Sequence, residues 1–228
     1  MIKLEEVRMA VSDLLKQFNK SDDAVVMLHE SEAFSKMHAR DFLLGLRLEL
    51  SRGTLAIMGD CLINTGVTQK GVQAMSNQER LVLSSGTMLQ LLTLDQDCQF
   101  GAHPSLMFGI VGKYAQYLSR NYSLDFPYGS ESLFNDLYSM DALVIFMGDS
   151  IDCVEAKYVQ SKRSDASIIK NTSHQRSTTV SYLDYDFNFD VAQEKLLRAD
   201  FIRSTELGPY TLKAMLYQDM IDYLKLYY

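Results

Sequence analysis

Ala142-Leu143-Val144-Ile145-Phe146-Met147-Gly148 decides the fold. Six apolar residues in a row, ended by a glycine, suit a strand buried on both faces, and a strand of that kind needs helices above and below it. The chain beyond Gly148 then emerges at the carboxyl end of a central strand, where open α/β sheets place their ligands. Segment 149–160 is therefore a first place to look for chemistry.

Working outward from that strand, Ala24-Val25-Val26-Met27-Leu28 reads as a second short buried strand. A helical pattern (Phe34, Met37, Phe42, Leu43, Leu46, Leu50) follows it, Arg52-Gly53 stops the helix, and Thr54-Leu55-Ala56-Ile57-Met58 is a further strand ending at Gly59-Asp60. Strand, helix and strand at this spacing predict a parallel crossover unit. Leu4, Val7, Val11, Leu14, Leu15 and Phe18 form the apolar stripe of a helix over 3–19. Residues 61–99 are the least readable part.

Pro104 stands at a favoured first helical position, and Leu106, Ile110, Tyr114, Tyr117 and Leu118 continue a helical face. Pro127-Tyr128-Gly129-Ser130 is a turn, with Ser130 or Ser132 capping a helix that carries Leu133, Phe134, Leu137 and Tyr138. The polar stretch 161–176 predicts an exposed loop or hairpin. Alternation from Thr178 to Phe187 predicts a strand with one solvated face. Two helices are expected to close the chain, at 191–201 and from Tyr210 onward, joined across Gly208-Pro209.

The chain has 228 residues, of which 47% are apolar, enough for a substantial core in one domain spanning 1–228. No run approaches the roughly 18 apolar residues of a membrane helix, and Met1-Ile2-Lys3-Leu4-Glu5-Glu6 lacks a basic region followed by an apolar one. A cytoplasmic protein is expected, with no membrane partner. Three dispersed cysteines give neither a disulfide framework nor a metal knuckle, and a net charge of −7 argues against a nucleic-acid partner.

In this order the segments resemble the aminoglycoside 3-N-acetyltransferase family, whose members transfer acetyl from acetyl-CoA to an amine. Leu28-His29-Glu30-Ser31 is similar to that family's His-Ser-Ser-Leu segment, and Gly53-Thr54-Leu55 to its Gly-Thr-Leu strand. Ala102-His103-Pro104 matches the centre of its Arg-Ser-x-His-Pro motif. Pro127-Tyr128-Gly129-Ser130-Glu131-Ser132 is similar to its Pro-Phe-Gly-x-x-Ser block. The fold implied is a three-layer α/β/α structure with a central mixed sheet.

Departures from the family fall on the chemistry. Phe100 and Gly101 stand where the family has Arg-Ser. After the strand the family carries Thr-x-x-His-x-x-Glu, its His being the general base. In the ungapped register Lys157 and Gln160 fall on His and Glu; a gapped register puts Asp152 and Glu155 on that element and still lacks the His. A lysine near pKa 10.4 would have to fall by roughly three units to act as a base, so Lys157 reads as a solvated side chain.

The resemblance implies an acetyl-CoA-dependent N-acetyltransferase acting on an amino sugar or aminoglycoside-like amine. The alternative is a degenerate, non-catalytic member serving as a binding or assembly module. Catalytic candidates are His103, Asp152, Lys157 and Gln160. Acetyl-CoA is expected near His29, Glu30, Ser31 and Ser130, and the cationic acceptor near Asp60, Asp149 and Asp152.

Overall fold

A computed structural model describes residues 2–30, 36–60, 87–148, 151, 153–175 and 178–228. The elements run α1 (Leu4–Gln17), β1 (Val25–His29), α2 (Lys36–Glu49), β2 (Thr54–Asp60), α3 (Thr87–Leu92), β3 (Gln99–Ala102), β4 (Leu106–Gly112), α4 (Ala115–Leu118) and α5 (Leu133–Ser139). They continue with β5 (Leu143–Met147), a 3-10 turn (Val154–Ala156), α6 (Lys157–Gln160), β6 (Ile168–Gln175), β7 (Thr178–Tyr185), α7 (Phe189–Leu197), β8 (Arg203–Leu207), β9 (Tyr210–Leu216) and α8 (Tyr217–Leu224).

The main sheet is mixed and seven-stranded, in the order β3-β4-β2-β1-β5-β9-β8. β1 lies at its centre, parallel to β2 on one side and β5 on the other. The decisive run Leu143–Met147 is β5, buried along its whole length. Alternation along β1 explains the layers: Val26 and Leu28 join the core under α1, α2 and α3, while Val25 and Met27 join the core under α5, α7 and α8. β6 and β7 form a separate antiparallel hairpin, docked through the Leu183 N–H onto the Asp125 carbonyl at 2.8 Å.

Two helix expectations give way to strands. Residues 106–112 are β4, antiparallel to β2, and the helix beyond is only the short α4. Leu106 and Ile110 fit a helical template, but Met107 and Phe108 between them and Val111 after them are apolar too and buried. A run apolar at every position belongs to a strand covered on both faces. Gly112 ends that strand at φ +108°, where an added Cβ would stand 2.2 Å from the Gly53 carbonyl oxygen; only glycine lets β4 close against the start of β2.

The stretch from Tyr210 likewise begins as β9, pairing with β5 and β8 before α8 starts at Tyr217. Gly208 at φ +60° and Pro209 make the two-residue turn of a β-hairpin, with Leu207 opposite Tyr210. Of the two capping candidates, Ser132 caps α5, accepting the Asn135 N–H at 3.2 Å. Among the described residues, no helix is long and apolar enough to cross a membrane.

Candidate functional site

Strand direction gathers the candidate residues at one rim. β1 and β5 both end there, at His29 and Met147, and β4 starts there because its first residue, Leu106, is paired with the last residue of β2, Asp60. The turn His103-Pro104-Ser105 between β3 and β4 therefore stands on the same rim as His29. The 3-10 turn after β5 brings Glu155 to it.

His29 lies opposite Phe146 in the β1–β5 register, and the two rings stack with centroids 4.7 Å apart. The stacking holds the imidazole so that Nε2 meets Oε1 of Glu155. Glu155 is fully buried. Its backbone carbonyl accepts the Tyr217 hydroxyl at 3.1 Å, which ties the 3-10 turn to α8. A buried carboxylate is tolerated only when paired, and His29 is the partner it has; its second oxygen, Oε2, has no hydrogen-bond partner among the described residues.

His103 is packed among Tyr128, Phe108 and Phe134, with ring centroids at 5.1, 5.9 and 5.9 Å. Its Nδ1 accepts the Ser105 N–H at 3.2 Å. Burial, reinforced by the nearby Lys157 ammonium, pushes its pKa down to about 3. Such a group is neutral throughout the working range. In the unfolded chain it titrates near the ordinary 6.5, so below that pH the unfolded state gains a proton that the native state refuses. Stability contributed by the neutral His103 is thus complete above pH 6.5 and is lost as pH falls toward 3, by up to about 1.4 kcal/mol per pH unit. Urea denaturation of wild type and His103→Gln between pH 7 and 4 is expected to show the variant's stability falling less steeply; parallel curves would refute this.

Lys157 is not solvated. Its ammonium lies 2.8 and 2.9 Å from the two oxygens of Asp184 on β7, and both side chains are mostly buried, at 13% and 6% exposure. The apolar surroundings of α6 account for the difference: Tyr128 and Phe189 offer ring faces to the cation at 5.2 and 5.7 Å. An ammonium held this way ties α6 to β7. Gln160, one turn on, is buried.

Tyr128 packs edge-on against His103, with ring centroids 5.1 Å apart. Burial raises its pKa well above the ordinary range, and negative charge from Asp184 and Glu155 adds to that effect. Its hydroxyl is within hydrogen-bonding reach of Ser105, and the Tyr182 hydroxyl is too. Tyr128, Ser105, His103, Lys157 and Asp184 thus form one connected cluster.

Glu30 is already engaged. Its carboxylate accepts the N–H groups of Thr87 and Met88, both at 2.8 Å, at the start of α3. It serves as a tether across the rim, and burial raises its pKa. Ser130 is exposed in the turn before α5. Asp60 ends β2 on the same rim. Ser31, Asp149 and Asp152 lie outside the described residues. Glu155, which meets His29 at the rim, is passed over in the ungapped register; the gapped register is the signal that finds it.

A cleft of about 490 Å³ opens at the opposite edge, between the amino end of β2 and the end of β4, lined by Asp23, Arg47, Arg52 and Lys113. Arg52 pairs with Asp22 and Arg47 with Asp95. Both of its arginines are thus paired within the protein, and it lies at the other end of the strands from the rim that carries the histidines.

Residues 76–228 match the family described as aminoglycoside 3-N-acetyltransferase. Among solved structures, the YokD protein from Bacillus subtilis superposes with a TM-score of 0.77 at 14% identity, covering 100% of this chain and 98% of that one. Aminoglycoside acetyltransferase AAC(3)-IIb gives 0.76 at 17%, covering 100% and 96%. AAC-IIIb in its binary complex with CoASH gives 0.70 at 13%, covering 96% and 95%. At these identities the likeness shows the fold. No curated protein matches the chain.

Proposed function

The chain belongs to the aminoglycoside 3-N-acetyltransferase family, and from that membership we propose that it transfers an acetyl group from acetyl-CoA to the amine of an amino sugar or related polyamine, with His29 as general base and Glu155 as the carboxylate that orients it. The observation that supports this reading is the buried His29–Glu155 pair at the carboxyl ends of β1 and β5. A carboxylate bound to one imidazole nitrogen leaves the other as the basic one and stabilises the imidazolium once it forms. With Nε2 directed at Glu155, Nδ1 is the nitrogen that takes the proton.

In the transfer, the amine nitrogen attacks the thioester carbonyl carbon. A C–N bond forms, the C–S bond breaks, the proton released by nitrogen passes to His29, and the thiolate leaves to be protonated as CoA. The family's usual His is absent after β5, whereas the gapped register keeps a carboxylate, Glu155, at the position of its Glu. A His–carboxylate pair is thereby rebuilt with its His supplied from β1. The dry aromatic surroundings of His103 and Tyr128 suit the acetyl end of the donor. Acidic residues at the rim, Asp60 among them, suit a cationic acceptor.

The test is calorimetric titration with acetyl-CoA, followed in the same preparation by thiol release with a panel of amino sugars and aminoglycosides. Binding with acceptor-dependent thiol release is the expected result. No binding of acetyl-CoA would overturn the proposal and leave the alternative, a member of the fold used for assembly. Binding without release by any amine would retain a CoA site and discard the transfer.

A further inference from the structure

Nε2 of His103 has no hydrogen-bond partner among the described residues, although the side chain is buried. Its other nitrogen settles the tautomer: a backbone N–H donates to Nδ1, so Nδ1 bears the lone pair and Nε2 carries the hydrogen. The result is a fixed, neutral N–H donor with nothing among the described residues to donate to. Leaving such a donor unpaired costs about 1–3 kcal/mol, and cases in native proteins call for an explanation. His103 stands in the turn between β3 and β4 at the rim, 8% exposed as a residue, with Nε2 itself turned inward.

The geometry points to His103 as the donor that holds the acyl oxygen of the thioester through Nε2–H, in the same site as the His29–Glu155 base. This rests on the transferase reading and adds a residue to it. Charge selects the oxygen. Lys157 is close enough to act on the imidazole, and a cation there attracts the negative charge that grows on the acyl oxygen as nitrogen attacks. Three aromatic walls, Phe108, Tyr128 and Phe134, make the surroundings apolar, which suits an acetyl group and strengthens any hydrogen bond formed within them. The lowered pKa keeps the imidazole from becoming an imidazolium, so His103 acts as a donor at every working pH. It is thus distinct from a substitute base.

The experiment uses the full chain with 15N-labelled histidine. NMR of His103 is expected to show the neutral Nε2–H tautomer unchanged between pH 5 and 8. Acetyl-CoA should displace its Nε2–H proton, and CoA, which lacks the acyl oxygen, should not. In thiol release, His103→Phe should lower kcat about 100-fold or more with little change in KM for acetyl-CoA. His103→Gln, which keeps an N–H donor, should recover part of the loss, and neither variant should move the pH profile. An Nδ1–H tautomer, titration between pH 5 and 8, or equal displacement by CoA would overturn the assignment. Wild-type kcat in His103→Phe, with acetyl-CoA bound normally, would overturn it alone; absence of acetyl-CoA binding in calorimetry would overturn the transferase reading with it.

Discussion

His29→Ala is expected to lower kcat about 100- to 10,000-fold, the range over which a positioned general base contributes, while the KM for acetyl-CoA stays near its wild-type value. The imidazole is held by stacking on Phe146 and by Glu155, so its removal deletes the proton acceptor without dismantling a strand. Glu155→Gln is expected to give a loss of similar order for a different reason. Gln is isosteric and can still accept from Nε2, but it carries no charge to stabilise the imidazolium. Because the two residues act as a unit, the double variant should be little worse than either single one. Steady-state thiol release checks all three, with circular dichroism confirming the fold. Wild-type kcat in His29→Ala would remove His29 from the chemistry.

Lys157→Met is the change expected to cost most in stability, about 3–5 kcal/mol, because it leaves the Asp184 carboxylate buried without its partner. The pair joins α6 to the β6–β7 hairpin, so the hairpin should be the first part to lose protection from hydrogen exchange. Lys157→Met combined with Asp184→Leu should recover most of the loss, since replacing both members of a buried ion pair by apolar side chains is often neutral. Urea denaturation of the singles and the double supplies the cycle. A single-variant cost below about 1 kcal/mol would place the pair among exposed, weakly coupled ions.

Much of the fold was legible because its core strands are apolar along their whole length. The runs at 25–29 and 143–147 could be assigned without knowing their neighbours, and helices α1 and α2 announced themselves by their stripes. The same property misled at 106–112. When every position is apolar, a helical spacing can be found in it by choice of residues, and the strand at 210–216 was hidden by merging with the helix that follows it. Neither error is one of composition: the first arises because a sheet covered on two faces removes the alternation that marks a strand, the second because β9 runs into α8 with no residue between them.

At the site, sequence alone determined which segments would meet: those after β1 and β5 and that before β4, each carrying a motif that resembles one family. It could not decide which side chains pair. His29 and Glu155 are far apart in the chain and meet only because β1 and β5 are neighbours in register, with the 3-10 turn folding back over their ends. Lys157 looked solvated by type and is desolvated by the hairpin that covers it. The neutral state of His103 is set by burial and by a cation from another element. Residue type is local and can be read from the chain; burial, pairing and field are sums over everything packed nearby, and only the tertiary structure supplies them.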